Sequence, residues 1–143
     1  MKRDDTLWKA ILEDLFEDFL QFFYADANEI FDMQRGFEFL DKELEELFPT
    51  ITDEKIRYVD KLVKVWLKNG EEKWILVHIE VQGNADPEFP YRMYVYNYRI
   101  HDRYQKPIAS SAILTDKNKN FLPTSYKMEC LGTSVECIFN MYK

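Results

Sequence analysis

Asp60, His78, Glu80 and Gln82 occupy even-numbered positions in two consecutive strand-like runs, IRYVDKLVKVWL (56–67) and KWILVHIEVQ (73–82). Successive side chains of a strand point to opposite faces, so residues of one parity share a face. The odd positions, Val59, Val63, Val65 and Leu67 with Ile75, Val77, Ile79 and Val81, are interrupted only by Lys61 and Lys73 and form the expected core face. Both carboxylates lie on the other face. Asn69-Gly70 between the runs is a hairpin turn signal. A register with Asp60 directly across from Glu80 would bring their Cβ atoms to about 4.5–5.5 Å, and a shift by two residues would leave them diagonal neighbours. Directly opposed carboxylates repel one another. A Mg²⁺ or Mn²⁺ ion held by one or two carboxylates, waters and phosphate oxygens would relieve that repulsion and equip the face for phosphodiester hydrolysis. An amphipathic hairpin with a solvated polar face has the same alternation, and the pattern alone does not choose between the two.

Downstream, Arg92, Arg99 and Arg103 recur at i, i+7 and i+11, which makes one basic stripe if the segment is helical. Met93, Tyr96, Ile100 and Tyr104 form the adjoining apolar face. Guanidinium groups offer planar, permanently charged donors that suit a phosphate backbone. Arg92, nearest the carboxylates, is the candidate for that role, whereas Arg99 and Arg103 read as a solvated face or as partners for the chain's own acids. His78 reads as a packed or hydrogen-bonded strand residue, with a supporting role at the site as the alternative. Cys130 and Cys137 lack CxxC spacing, and two isolated histidines make no cage, so reduced thiols and no zinc are expected.

These residues require elements to hold them. Residues 4–23 place Leu7, Trp8, Ile11, Leu12, Leu15, Phe16, Phe19 and Leu20 at helical spacing, with Asp4 or Asp5 as N-cap. That apolar stripe is read as core, with a homodimer contact as the alternative. A break over 26–36 leads to a second helix over 37–48, ended by Pro49. After the hairpin and a loop over 83–90, Pro90 opens a third helix reaching Tyr104. IASSAILT then reads as a buried strand following a crossover helix, and a hairpin around Gly132 is expected from 125–131 and 133–142. The strand-like pattern continues to Lys143.

The chain has 143 residues, suited to one domain, and its 16% aromatic content predicts an aromatic core. A net charge of -7 opposes unaided DNA binding, although the acids concentrate in the first third and a metal would offset the local field. The opening residues show no signal-peptide pattern and no stretch is long and apolar enough to span a bilayer, so a cytoplasmic protein is expected.

The run VDKLVKVWLKNGEEKWILVHIEVQG, followed by FPYRMYVYNYRIHDRYQKPIASSAILTD, resembles the PD-(D/E)XK nuclease family transposases, related to recombination-promoting nucleases. The likeness runs from about Phe39 to the C-terminus. It implies a single nuclease-like domain with a restriction-endonuclease-like α/β core, a mixed sheet flanked by helices. It further implies Asp60 and Glu80 as metal-binding acids, the Val81 carbonyl as a backbone ligand, and a member of an upstream helical segment (Asp41, Glu43 or Glu38) completing the site. Gln82 stands where the general pattern has lysine, and the resembled group uses ExQ. An amide can hydrogen-bond but cannot neutralise charge, so Lys64 or Lys42 is the expected substitute cation. Members of the group look longer, so this chain is expected to be an N-terminal part. Metal-dependent DNA cleavage is the function implied; the alternative is a weak or inactive descendant that binds DNA or a protein partner.

Overall fold

A computed structural model describes residues 7, 10–48, 58–80 and 85–143. The expected caps Asp4 and Asp5, the helix stop at Pro49, and the site residues Val81 and Gln82 lie outside the described residues. Residues 10–14 are helical and lead through Leu15 into α1 (Phe16–Phe23). Leu12, Phe16 and Leu20 recur every four residues and are buried, while Glu13, Asp14, Glu17 and Asp18 face solvent. A short helix, α2 (Ala27–Ile30), and a 3-10 turn (Met33–Arg35) follow.

Next come β1 (Glu38–Phe39) and α3 (Asp41–Leu47). The helix expected over 37–48 therefore starts late. The outer edge of β2 (Tyr58–Trp66) would otherwise carry unpaired backbone groups; Glu38 and Phe39 pair with Lys64 and Val63, and the Leu40 N–H donates to the Leu62 carbonyl at 2.8 Å. β3 (Glu72–Glu80) returns antiparallel to β2 through a turn in which Gly70 takes a left-handed φ of 92°. α4 (Phe89–Tyr104), with Pro90 in its first turn, crosses over to β4 (Ile108–Ile113), which lies parallel to β3.

β5 (Ser125–Cys130) and β6 (Thr133–Ile138) form a separate two-stranded ribbon, and β7 (Asn140–Tyr142) joins the main sheet parallel to β4. The single arm expected over 133–142 is thus divided at Phe139. That residue is buried, its ring 5.4 Å from Phe89, and its burial turns the chain from ribbon to sheet.

The main sheet has the order β1-β2-β3-β4-β7, and β2 alone runs against its neighbours. The architecture is mixed α/β, with helices on both faces. Val59, Val63, Val65, Ile75, Val77 and Ile79 pack beneath Leu12, Phe16 and Leu20. The even face is buried too: Leu62, Trp74 and Leu76 lie beneath Phe89, Met93, Tyr96 and Ile100 of α4. A crossover helix between parallel strands has to lie on one face of their sheet, and here it covers the one that carries the acids. No helix among the described residues is long and apolar enough to cross a membrane.

Candidate active site

Asp60 pairs across the hairpin with His78, and Glu80 with Tyr58. The directly opposed Asp60–Glu80 register is therefore replaced by one slipped by two residues. The turn sets this offset: the Leu67 N–H donates to the Glu71 carbonyl at 2.8 Å, and Trp66 faces Glu72. The slip preserves parity. Both acids remain on the α4 face as diagonal neighbours, a relation that corresponds to about 7–8 Å.

Asp60 is held from two sides. His78 Nδ1 lies 2.6 Å from its Oδ1, and the Tyr96 hydroxyl donates to Oδ2 at 2.5 Å. With Asp60 as the acceptor, as it is for the Tyr96 hydroxyl, the ring donates through Nδ1–H. His78 is buried, with the rings of Tyr58 and Phe89 at 5.0 and 5.2 Å. Burial, followed by the charge of Asp60, pushes the Tyr96 phenol far above its ordinary range, which keeps it a donor.

Glu80, 7% exposed, has different surroundings. Its Oε1 is buried and has no hydrogen-bond partner among the described residues. Burial, and then the charge of Asp116, raise its carboxyl above the usual range, against smaller opposing effects from Thr115, His78 and Lys143. The Thr115 hydroxyl donates to the Glu80 carbonyl at 3.2 Å.

Arg92 reaches the same strand end. Its Nη1 lies 2.9 Å from Asp86 Oδ2, and its guanidinium sits 4.4 Å over the ring of Tyr58, the residue paired with Glu80. Arg99 and Arg103 follow about 10 and 16 Å further along the helix, over Phe48 and Tyr104. They do not join the acids.

The upstream candidates lie elsewhere. Asp41 accepts from Lys61 at 2.8 Å, and Lys61, odd in parity, is on the opposite face of β2 from Asp60. Glu38 pairs with Lys64 at 3.0 Å, and Lys64 also approaches Glu72 at 3.7 Å. Four residues from Asp60, Lys64 is about 13 Å along the strand and is committed to those acids. Lys42 is exposed, and the Glu43 carbonyl accepts from Tyr104 at 3.3 Å. None of these is brought beside Asp60 and Glu80, because β1 and α3 attach to the far half of β2.

Sequence reasoning missed the binding of Asp60 by Tyr96 and the approach of Asp116 and Lys143 to Glu80. One signal was present: Asp116 is a lone acid directly after a buried small-residue strand. Among the described residues no three His, Cys, Asp or Glu side chains form a group that could hold a metal ion. The chain matches no protein-family model, no curated protein and no solved structure.

Proposed function

We propose that this protein is a metal-dependent DNA endonuclease of the mobile-element or recombination-promoting type, with a restriction-endonuclease-like core. The observation carrying the reading is the placement of Asp60 and Glu80 as diagonal neighbours on one face of the hairpin, with Arg92 over the ring of Tyr58, the residue paired with Glu80. The order of elements supports it: helix, hairpin, crossover helix, parallel strand. Glu80 Oε1, without a partner among the described residues, is a ready cation ligand, and Asp60 retains lone pairs after accepting from His78 and Tyr96. Two carboxylates suit Mg²⁺ or Mn²⁺.

Bound there, such an ion would polarise a phosphoryl oxygen and acidify the attacking water. The chain's own residues do the rest. His78 and Tyr96 fix the orientation of Asp60, so it does not have to reorganise when charge arrives. Arg92 offers a guanidinium to a backbone phosphate, releasing Asp86 to do so. Gln82 would orient water or phosphate through its amide, and the Val81 carbonyl would add a ligand, as the resemblance implies.

A plasmid-nicking assay in Mg²⁺ or Mn²⁺ tests this. The native chain should nick DNA, and Asp60→Ala and Glu80→Ala should not. Equal cleavage by all three would reject the assignment. One observation favours a second reading, a catalytically weak relative that binds DNA or protein: both Asp60 oxygens already have protein partners. Under that reading, adding metal leaves the melting temperature unchanged.

A further inference from the structure

β3 and β4 run parallel, with Ile79 beside Ile113, so their carboxyl ends lie side by side. In open α/β sheets such ends are where ligands bind. The contact between the Thr115 hydroxyl and the Glu80 carbonyl, 3.2 Å, continues this neighbourhood to the residue before Asp116. Asp116 is 5% exposed and split in its bonding. Its Oδ2 accepts from Lys143 Nζ at 2.7 Å and from the Asn118 N–H at 3.2 Å, while its buried Oδ1 has no partner among the described residues. Lys143 also donates to the carbonyls of Asn118 and Phe121, both at 2.6 Å, which uses all three ammonium donors. One oxygen of Asp116 is thus anchored by a saturated lysine. The other has no partner among the described residues, and neither has Oε1 of Glu80.

Two buried carboxyl oxygens without donors are costly to leave unmatched, since a buried polar atom lacking a partner loses its hydration and gains nothing in return. Each residue is at least nine-tenths buried; Glu80 ends β3, and Asp116 lies in the segment that follows the neighbouring β4. We infer that Glu80 and Asp116 together bind a hard divalent cation of the Mg²⁺ or Mn²⁺ class, with Lys143 positioning Asp116 for it. The inference deepens the nuclease reading and rests on it for Glu80, and it brings in a further acid from the segment that follows β4. Oxygen ligands and a small number of carboxylates match the preference of these ions, which keep several waters. Lys143, with 16% of its side chain exposed, places the pair just below the surface.

Mn²⁺ binding to the full chain, followed by the paramagnetic signal of free Mn²⁺ and by calorimetry, tests it. The native chain should bind Mn²⁺, and Asp116→Asn and Glu80→Gln should each weaken binding at least tenfold. Because Asp116→Asn leaves Lys143 without a charged partner, Asp116→Asn combined with Lys143→Gln serves where the single variant does not fold, with the same expected loss. Binding within twofold of native in the Asp116 variants overturns the inference and leaves the nuclease reading intact. No binding by the native chain also overturns it, leaving the two carboxyls to share a proton. Mn²⁺ binding that needs Asp116 and Glu80, in a chain that nicks no DNA, sustains the inference and rejects the nuclease.

Discussion

Lys61 and Glu80 are both charged and buried in the central strands, but on opposite faces and in different company. Lys61, with none of its surface exposed, donates to both oxygens of Asp41, at 2.8 and 2.9 Å, and to Glu13, and lies 5.2 Å over the Phe39 ring. Glu80 keeps an oxygen with no partner among the described residues, and a second acid, Asp116, works against its charge. A buried charge matched by opposite charges ties elements together; Lys61 links β2 to α3 and to the N-terminal helical segment. A buried charge left unmatched is a cost to folding that a ligand can remove. Asp60 lies between the two cases, held by a histidine ring nitrogen and a phenol.

The largest effect should come from unmatching Lys61. Glu13→Gln with Asp41→Asn strands its ammonium and should destabilise the protein by about 3–5 kcal/mol in denaturant unfolding. Lys61→Met should cost far less, because Glu13 and Asp41 keep 40% and 51% of their side chains exposed and can be rehydrated. Equal losses in the two variants would break the contrast. Glu80→Ala should lower metal-dependent nicking by more than about a hundredfold, or about 2.7 kcal/mol of barrier, with melting temperature little changed. A large drop in melting temperature would instead make Glu80 structural, like Lys61.

Tyr96→Phe removes one donor to a charged acceptor and should cost about 1.5–3 kcal/mol in denaturant unfolding. A neutral result would mean that His78 alone holds Asp60. Stability against pH sharpens the comparison further. The carboxyl of Glu80 is raised in the fold, so the folded state binds that proton more tightly than the unfolded chain. Its contribution is therefore complete below the unfolded value and is lost as pH rises through the folded one. Metal-free melting temperatures should show this loss as pH rises above the usual carboxylate range, and Glu80→Gln should flatten it. Smallest is a thiol test: Cys130 is exposed, whereas Cys137 is buried and its thiol is pushed upward by burial, so a thiol reagent should label Cys130 about tenfold faster.

Much of the scaffold was legible in the sequence. Alternation over 56–67 and 73–82 located the hairpin formed by Tyr58–Trp66 and Glu72–Glu80, Asn69-Gly70 its turn, Pro90 the start of α4 to within one residue, and the run IASSAILT the strand Ile108–Ile113 beyond a crossover. The short β1 was not legible, since two residues carry no period and pair only because β2 offers an open edge. Nor was the division at Phe139, where burial against α4 overrides a continuous strand pattern.

Local parity therefore determined, from sequence alone, that Asp60 and Glu80 share a face, because a strand's side chains alternate whatever surrounds it. Tertiary structure decided the two-residue slip in register, the enclosure of that face by α4, the engagement of Asp60 by His78 and Tyr96, and the arrival of Asp116 and Lys143 at Glu80. These depend on contacts between residues distant in the chain, and no period of the sequence encodes which strand end will lie beside which.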